Sequence, residues 1–154
     1  MNAYDFDNTI YAGDSTVDFY LYCVKRYPRV AVYSLRLAWP ALMFLTGRMS
    51  KTRFKQRFFG FLAYLPDVDR TVEDFWEKHM ARIKPFYLER RRADDVIISA
   101  SPEFLIRPAL NKLNVSGLIA SRVDCRTGVY LSLIHISGNS IFRCRKDTLC
   151  GTEK

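Results

Sequence analysis

The sequence predicts an α/β fold, a parallel sheet interrupted after its first strand by a large all-helical insertion. Three observations carry this reading. The run AYDFD at 3–7 is apolar and aromatic, ends in carboxylates and leads towards the turn formers Gly13 and Asp14, as a strand entering a loop does. From 15 to 90 the apolar residues recur at spacings of three and four, the period of helices. At Asp94-Asp95 the pattern changes to the β-branched run VIIS, the amphipathic stretch SPEFLIRPALNKL and the run GLIAS, an order of strand, helix and strand that belongs to a parallel α/β unit. Placing AYDF beside VIIS in one sheet gives a core from 1–14 and 91–130, a helical insertion over 15–90 and a tail over 131–154 of different composition.

Within the insertion, Ser15 followed three residues later by Asp18 reads as a capping box, and Val17, Leu21 and Val24 continue at helical spacing until Pro28, so the first helix is expected over 15–27. Residues 30–46, VAVYSLRLAWPALMFLT, are almost wholly apolar. They contain Arg36 and Pro40 and fall short of the roughly 20 residues that a spanning helix needs. An interfacial or re-entrant helix is the favoured reading, and a helix buried against its neighbours is the alternative. Ser50 can cap a third helix carrying Phe54, Phe58, Phe61 and Leu62, which Pro66 ends. Val72, Phe75, Trp76, His79 and Ile83 then predict a fourth over 70–83, with His79 as a packed core histidine.

A chain of 154 residues that is 49% hydrophobic and 26% charged, with 7 Gly and 6 Pro, is one globular domain and excludes disordered and collagen-like classes. Its net charge of +8 is localised: residues 19–66 hold Lys25, Arg26, Arg29, Arg36, Arg48, Lys51, Arg53, Lys55 and Arg57 and no Asp or Glu. An anionic partner is therefore expected at this segment. The cations interleave with a continuous apolar run rather than with a polar face, so nucleic acid is not expected, and an anionic membrane surface bound through 25–57 is. Cys23, Cys125, Cys144 and Cys150 lack CxxC spacing and no signal peptide precedes them, which predicts free thiols in a reducing cytoplasm, with peripheral attachment at the inner face of the membrane. A zinc site from Cys125, His135, Cys144 and Cys150 matches no finger spacing and is the lesser reading.

Asp5 and Asp7 carry the chemistry. In an extended segment residues i and i+2 point the same way, and the crevice beyond the carboxyl ends of parallel strands is where α/β sheets place ligands. One carboxylate can then attack or bind a cation while the other moves protons. The stretch DFDNTIYAGDST resembles the first motif, DxDxT, of the haloacid dehalogenase superfamily, in the phosphoserine-phosphatase-like subgroup with a helical cap. That resemblance implies a Rossmann-like core, Asp5 as nucleophile forming an aspartyl phosphate, Asp7 as general acid/base, Thr9 as the trailing threonine of the motif, and Mg²⁺ held by Asp5 and Asp7. VIISASPEF is similar to the second motif, which implies that Ser99, Ala100 and Ser101 with Thr9 contact the transferring phosphoryl group. The insertion resembles the family's cap, and its apolar, basic stretch 30–57 is similar to that of membrane-associated phosphatidylglycerophosphate phosphatases. The substrate implied is a phosphomonoester, with a phospholipid phosphate or another amphipathic ester suggested and free phosphoserine retained.

After about residue 130 the motif resemblance stops. Neither a third-motif lysine after RTGVY nor a GDxxxD or DD motif follows, and Lys146 and Asp147 in FRCRKDTLCG take no role. The composition of the tail reads as foreign to the family, so an incomplete core, a truncated gene model and little or no phosphatase activity of these 154 residues alone are expected. The competing reading is a basic-aromatic module that attaches to anionic membranes without chemistry.

Overall fold

The computed structural model describes residues 2–124 and 130–137. Its sheet has four strands in the order β1 (Ala3–Asp5), β2 (Val96–Pro102), β3 (Gly117–Val123) and β4 (Tyr130–Ser137). The first three are parallel, with Tyr4 opposite Ile97 and Ile97 opposite Leu118, as the strand-helix-strand reading requires. β4 runs antiparallel to β3. The core boundary drawn at 130 therefore precedes a strand that the sequence reading did not assign, because 131–137 was set aside on composition.

The insertion between β1 and β2 holds α1 (Ser15–Arg26), α2 (Pro28–Leu45), α3 (Lys51–Phe58), α4 (Val68–His79) and α5 (Pro85–Arg90), with 3₁₀ turns at Phe59–Tyr64 and Met80–Arg82. Helix α6 (Glu103–Lys112) crosses from β2 to β3. Two caps differ from expectation. Asp14, not Ser15, caps α1 by accepting the Val17 amide at 3.0 Å, because the Ser15 amide bonds Asp7 instead. Asp67 accepts the Arg70 amide at 3.0 Å and starts α4 at Val68, while the helix ends at His79 and tightens into a 3₁₀ turn, so the span 70–83 is displaced at both ends. Ser50 caps α3 through the Arg53 amide, as read. His79 stacks on Phe75 at 4.1 Å and its Nδ1 pairs with the Phe75 carbonyl, but it is half-buried, packed at the edge of the core rather than within it as expected.

One apolar cluster joins sheet and helices. Phe6 just after β1, and Ile97 and Leu118 from the sheet, share this cluster with Leu105, Ile106 and Ala109 of α6, Phe19 and Cys23 of α1, and Val72, Phe75 and Trp76 of α4. A single core shared in this way fixes the insertion to the sheet, since each element's apolar face is removed from water only by the others. Cys23 is free and fully buried, and burial pushes its thiol up to about 12, which leaves it an inert packing residue. Cys125, Cys144, Cys150 and the His135 side chain lie outside the described residues, and so do Lys146 and Asp147.

Among the described residues no helix is long and apolar enough to cross a membrane. α2 is nonetheless divided between two environments. Val30, Leu37 and Pro40 are buried, whereas Val32, Leu35, Trp39, Leu42 and Leu45 are exposed, Leu35 at 77% and Leu45 at 80%.

Candidate active site

The chain leaves β1 at Asp5 and turns through a loop that its own backbone closes. The Phe6 carbonyl accepts the amides of Ile10 at 3.0 Å and Tyr11 at 2.9 Å, and the Asn8 amide donates to the Gly13 carbonyl at 2.9 Å. Asn8 sits at φ +62, a left-handed conformation that asparagine tolerates. Gly13 has φ +134, a conformation that requires glycine, and a Cβ there would displace the end of the Arg82 side chain, whose Nη2 it would meet at 2.6 Å.

The exit of the helical insertion clamps this loop. The Ala12 amide donates to the Arg82 carbonyl at 2.9 Å and the Lys84 amide to the Ile10 carbonyl at 2.8 Å. Arg82 also pairs with Asp18 at 2.6 Å and bonds the Ala12 carbonyl, while Lys84 Nζ donates to the Asn8 carbonyl at 2.5 Å. Tyr11 is fully buried and its hydroxyl donates to Asp18 at 3.0 Å. Burial first, then the hydrogen bond to Asp18, hold its phenol well above the usual range, so it stays a neutral donor. The loop bearing the two carboxylates is thus fixed from both sides.

Asp7 is the most constrained group of the site. The Ser15 amide, in the first turn of α1, donates to Oδ1 at 2.7 Å, while the hydroxyls of Ser101 and Ser99 donate to Oδ2 at 2.6 and 3.2 Å. Behind them Thr16 donates to Ser101 Oγ at 2.8 Å and the Ser101 amide to Ser99 Oγ at 3.0 Å. The first amides of a helix have no partner within it, and here one of them orients an acceptor. Asp7 and the end of β2 are consequently one network spanning more than ninety residues of sequence.

This network floors a cavity of about 490 Å³ to which Asp5, Asp7, Asn8, Asp14, Ala100 and Ser101 contribute from the sheet side. Four of the six residues predicted for the site therefore share one space. Thr9 and Ser99 are not in its lining; Ser99 is 6% exposed and its hydroxyl serves Asp7. The opposite wall is phenylalanine, with Phe44 from α2 and Phe54 and Phe58 from α3. Sequence reasoning took Asp14 for a turn former and Ser15 for a cap, and passed over Thr16. The cluster of hydroxyls and carboxylate in GDST, directly after the DxD loop, was the available signal. No local pattern announces Arg82, which meets Asp18 across 64 positions.

As a metal centre the site offers hard oxygen donors, which suit Mg²⁺, an ion that keeps several waters and takes one or two carboxylates together with substrate oxygens. Among the described residues there is no group of three or more His, Cys, Asp or Glu side chains placed to hold a metal. The donor set therefore fits a cation completed by water and phosphate better than a closed protein cage.

Comparison with known proteins agrees with this geometry. A model of the haloacid dehalogenase-like hydrolase family matches residues 3–149, running beyond the point at which individual motifs can be followed. The fold is similar to the crystal structure of a protein with unknown function from Bordetella pertussis Tohama I, at a TM-score of 0.66 and 19% identity over 88% of this chain. The chain spans 66% of the length of that protein. No curated protein matches the sequence. With a family match over nearly its whole length, and a parallel sheet that sets a DxD pair at the carboxyl end of its first strand, the chain belongs to the haloacid dehalogenase-like hydrolases.

Proposed function

We propose that the protein is a Mg²⁺-dependent phosphomonoester hydrolase acting through an aspartyl phosphate on Asp5. The observation that supports this most is the sharing of one cavity by Asp5, exposed at the strand end, and Asp7, held by three donors. An Asp5 carboxylate oxygen attacks phosphorus as the ester P–O bond breaks, and protonated Asp7 gives its proton to the departing oxygen. Asp7 then takes a proton from water as that water attacks the phosphorus of the aspartyl phosphate, releasing inorganic phosphate and restoring the Asp5 carboxylate. Mg²⁺, held by the Asp5 carboxylate and the Asp7 carbonyl, would offset the repulsion between two anions. Ala100 and Ser101, on the floor of the cavity, serve as phosphate contacts, with Ser99 orienting Asp7. Label from a phosphomonoester radioactive at phosphorus should appear on the protein in a single turnover and be removed by hydroxylamine. Absence of such label while phosphate is released would overturn the covalent route.

The exposed stripe of α2 favours a second, compatible property, attachment to an anionic membrane surface. Val32, Leu35, Trp39 and Leu42 recur at helical spacing on the exposed face, and Arg29, Arg36, Arg48 and Arg53 around them are exposed. The chain should bind vesicles containing phosphatidylglycerol more tightly than pure phosphatidylcholine vesicles, and salt should weaken the binding. Trp76 is fully buried, so a blue shift of emission reports Trp39. Equal partition onto both vesicle types, or none, would remove the membrane from this reading and leave the hydrolase intact.

A further inference from the structure

We infer that the phenylalanine wall of the helical insertion selects phosphate monoesters whose leaving group is apolar, an inference that rests on the proposed hydrolase reading. Phe44 and Phe54 stack at 4.8 Å with an interplanar angle of 15°, and Phe58 adjoins Phe54 at 6.1 Å. These rings come from α2 and α3 and face the same space as Asp5 and Asp7, with Val17 of α1 beside them, 48% exposed. Among the described residues the ionisable side chains lining the cavity are Asp5, Asp7 and Asp14, all acidic.

This lining discriminates by chemistry. Among the described residues the wall offers apolar rings and no cation to the carboxylate of a leaving group such as that of free phosphoserine. On α3, Phe54 and Phe58, four apart, line this cavity, while Arg53 and Arg57, also four apart, line a second cavity of about 370 Å³ with Met43, Arg48 and Met49. Arg48, Arg53 and Arg57 thus line a space other than the one next to the nucleophile. An alkyl chain or ring in that space removes its own surface and that of the phenylalanines from water together.

Ethyl, butyl and hexyl phosphate test the inference, because their leaving oxygens differ little in basicity and a change in rate reports contact with the chain. With the full chain and Mg²⁺, kcat/KM should rise about two- to fourfold per methylene, and phosphoserine should be at least about tenfold poorer than butyl phosphate. Phe54→Ala should flatten the dependence on chain length, and Val17→Ser, at an exposed position that a folding defect does not reach, should reduce it. A long-chain monoacylglycerol phosphate in phosphatidylcholine vesicles, compared with monomeric hexyl phosphate, distinguishes a membrane source of the ester from a soluble one. Hydrolysis of all three alkyl esters at equal kcat/KM would overturn the inference and leave the hydrolase reading standing. No hydrolysis, with calorimetric affinity that still rises with chain length and is flattened in Phe54→Ala, would overturn the hydrolase reading and keep the ligand class. No hydrolysis, together with an affinity that does not change with chain length, would overturn both.

Discussion

The Asp5→Asn protein is expected to lose at least about a thousandfold in kcat/KM for phosphomonoesters while melting within a few degrees of the parent. An amide is a poor nucleophile, and the replacement also withdraws the negative oxygen that would hold the cation, so the two losses fall on the same step. Stability should change little because Asp5 is exposed at the end of β1, and its backbone register with Ile98 does not involve the side chain. Asp7→Asn should behave differently. Asp7 accepts from Ser15, Ser99 and Ser101, and an amide can accept only through its oxygen, so that variant should lose about 1–3 kcal/mol of stability as well as activity. Steady-state phosphate release and thermal melting on the two variants separate nucleophile from proton carrier. Turnover retained in Asp5→Asn would remove the nucleophile assignment and restore the non-catalytic membrane module as the leading reading.

The parts of the site that were legible in the sequence are those written locally. A DxD at the end of an apolar run, and a β-branched run closing in Ser99, each reveal themselves within about ten residues, and their order around a helical stretch places them in adjacent strands. The parallel pairing of β1 with β2 and β2 with β3 follows from that order. What stayed hidden depends on distance in sequence. That Ser99 would turn its hydroxyl to Asp7 follows from the bonding of Ser101 and Thr16 around the same carboxylate, contacts made across 85 to 94 positions. Phe54 and Phe58 read as one apolar helix face and Phe44 as part of an interfacial run, because periodicity reports that a face is apolar and not whether it meets a neighbour or a cavity. Asp14 displaced Ser15 as the cap of α1 for a related reason: the Ser15 amide was engaged by Asp7, a partner outside the local pattern. β4 was missed because the composition of its surroundings outweighed the alternation in YLSLIHIS.

Trp76→Ala should be the most damaging single truncation for stability, because Trp76 connects the helical insertion to the catalytic loop. It lies on α4, is fully buried, and donates its indole N–H to the Leu105 carbonyl of α6 at 2.7 Å. Its ring meets Phe6, the residue between the two aspartates, at 5.9 Å, Tyr11 at 5.5 Å and Phe75 at 5.0 Å, each near edge-to-face. Removing it leaves a cavity at this junction, with an expected loss of about 3–5 kcal/mol and a fall in melting temperature on the order of 10 °C for a chain of this size. Trp76→Phe keeps most of the ring contact but deletes the donor to Leu105, and should cost about 1–2 kcal/mol. Since Phe6 and Tyr11 bracket the Asp7 turn, the alanine variant should also lower kcat at temperatures where it remains folded, whereas a truncation elsewhere in the core, such as Leu113→Ala, should lower stability alone. Urea denaturation followed by circular dichroism measures the first effect, and phosphate release at 15 °C the second. A Trp76→Ala protein within about 1 kcal/mol of the parent would mean that the insertion and the sheet do not depend on this contact, contrary to the single shared core from which the prediction follows.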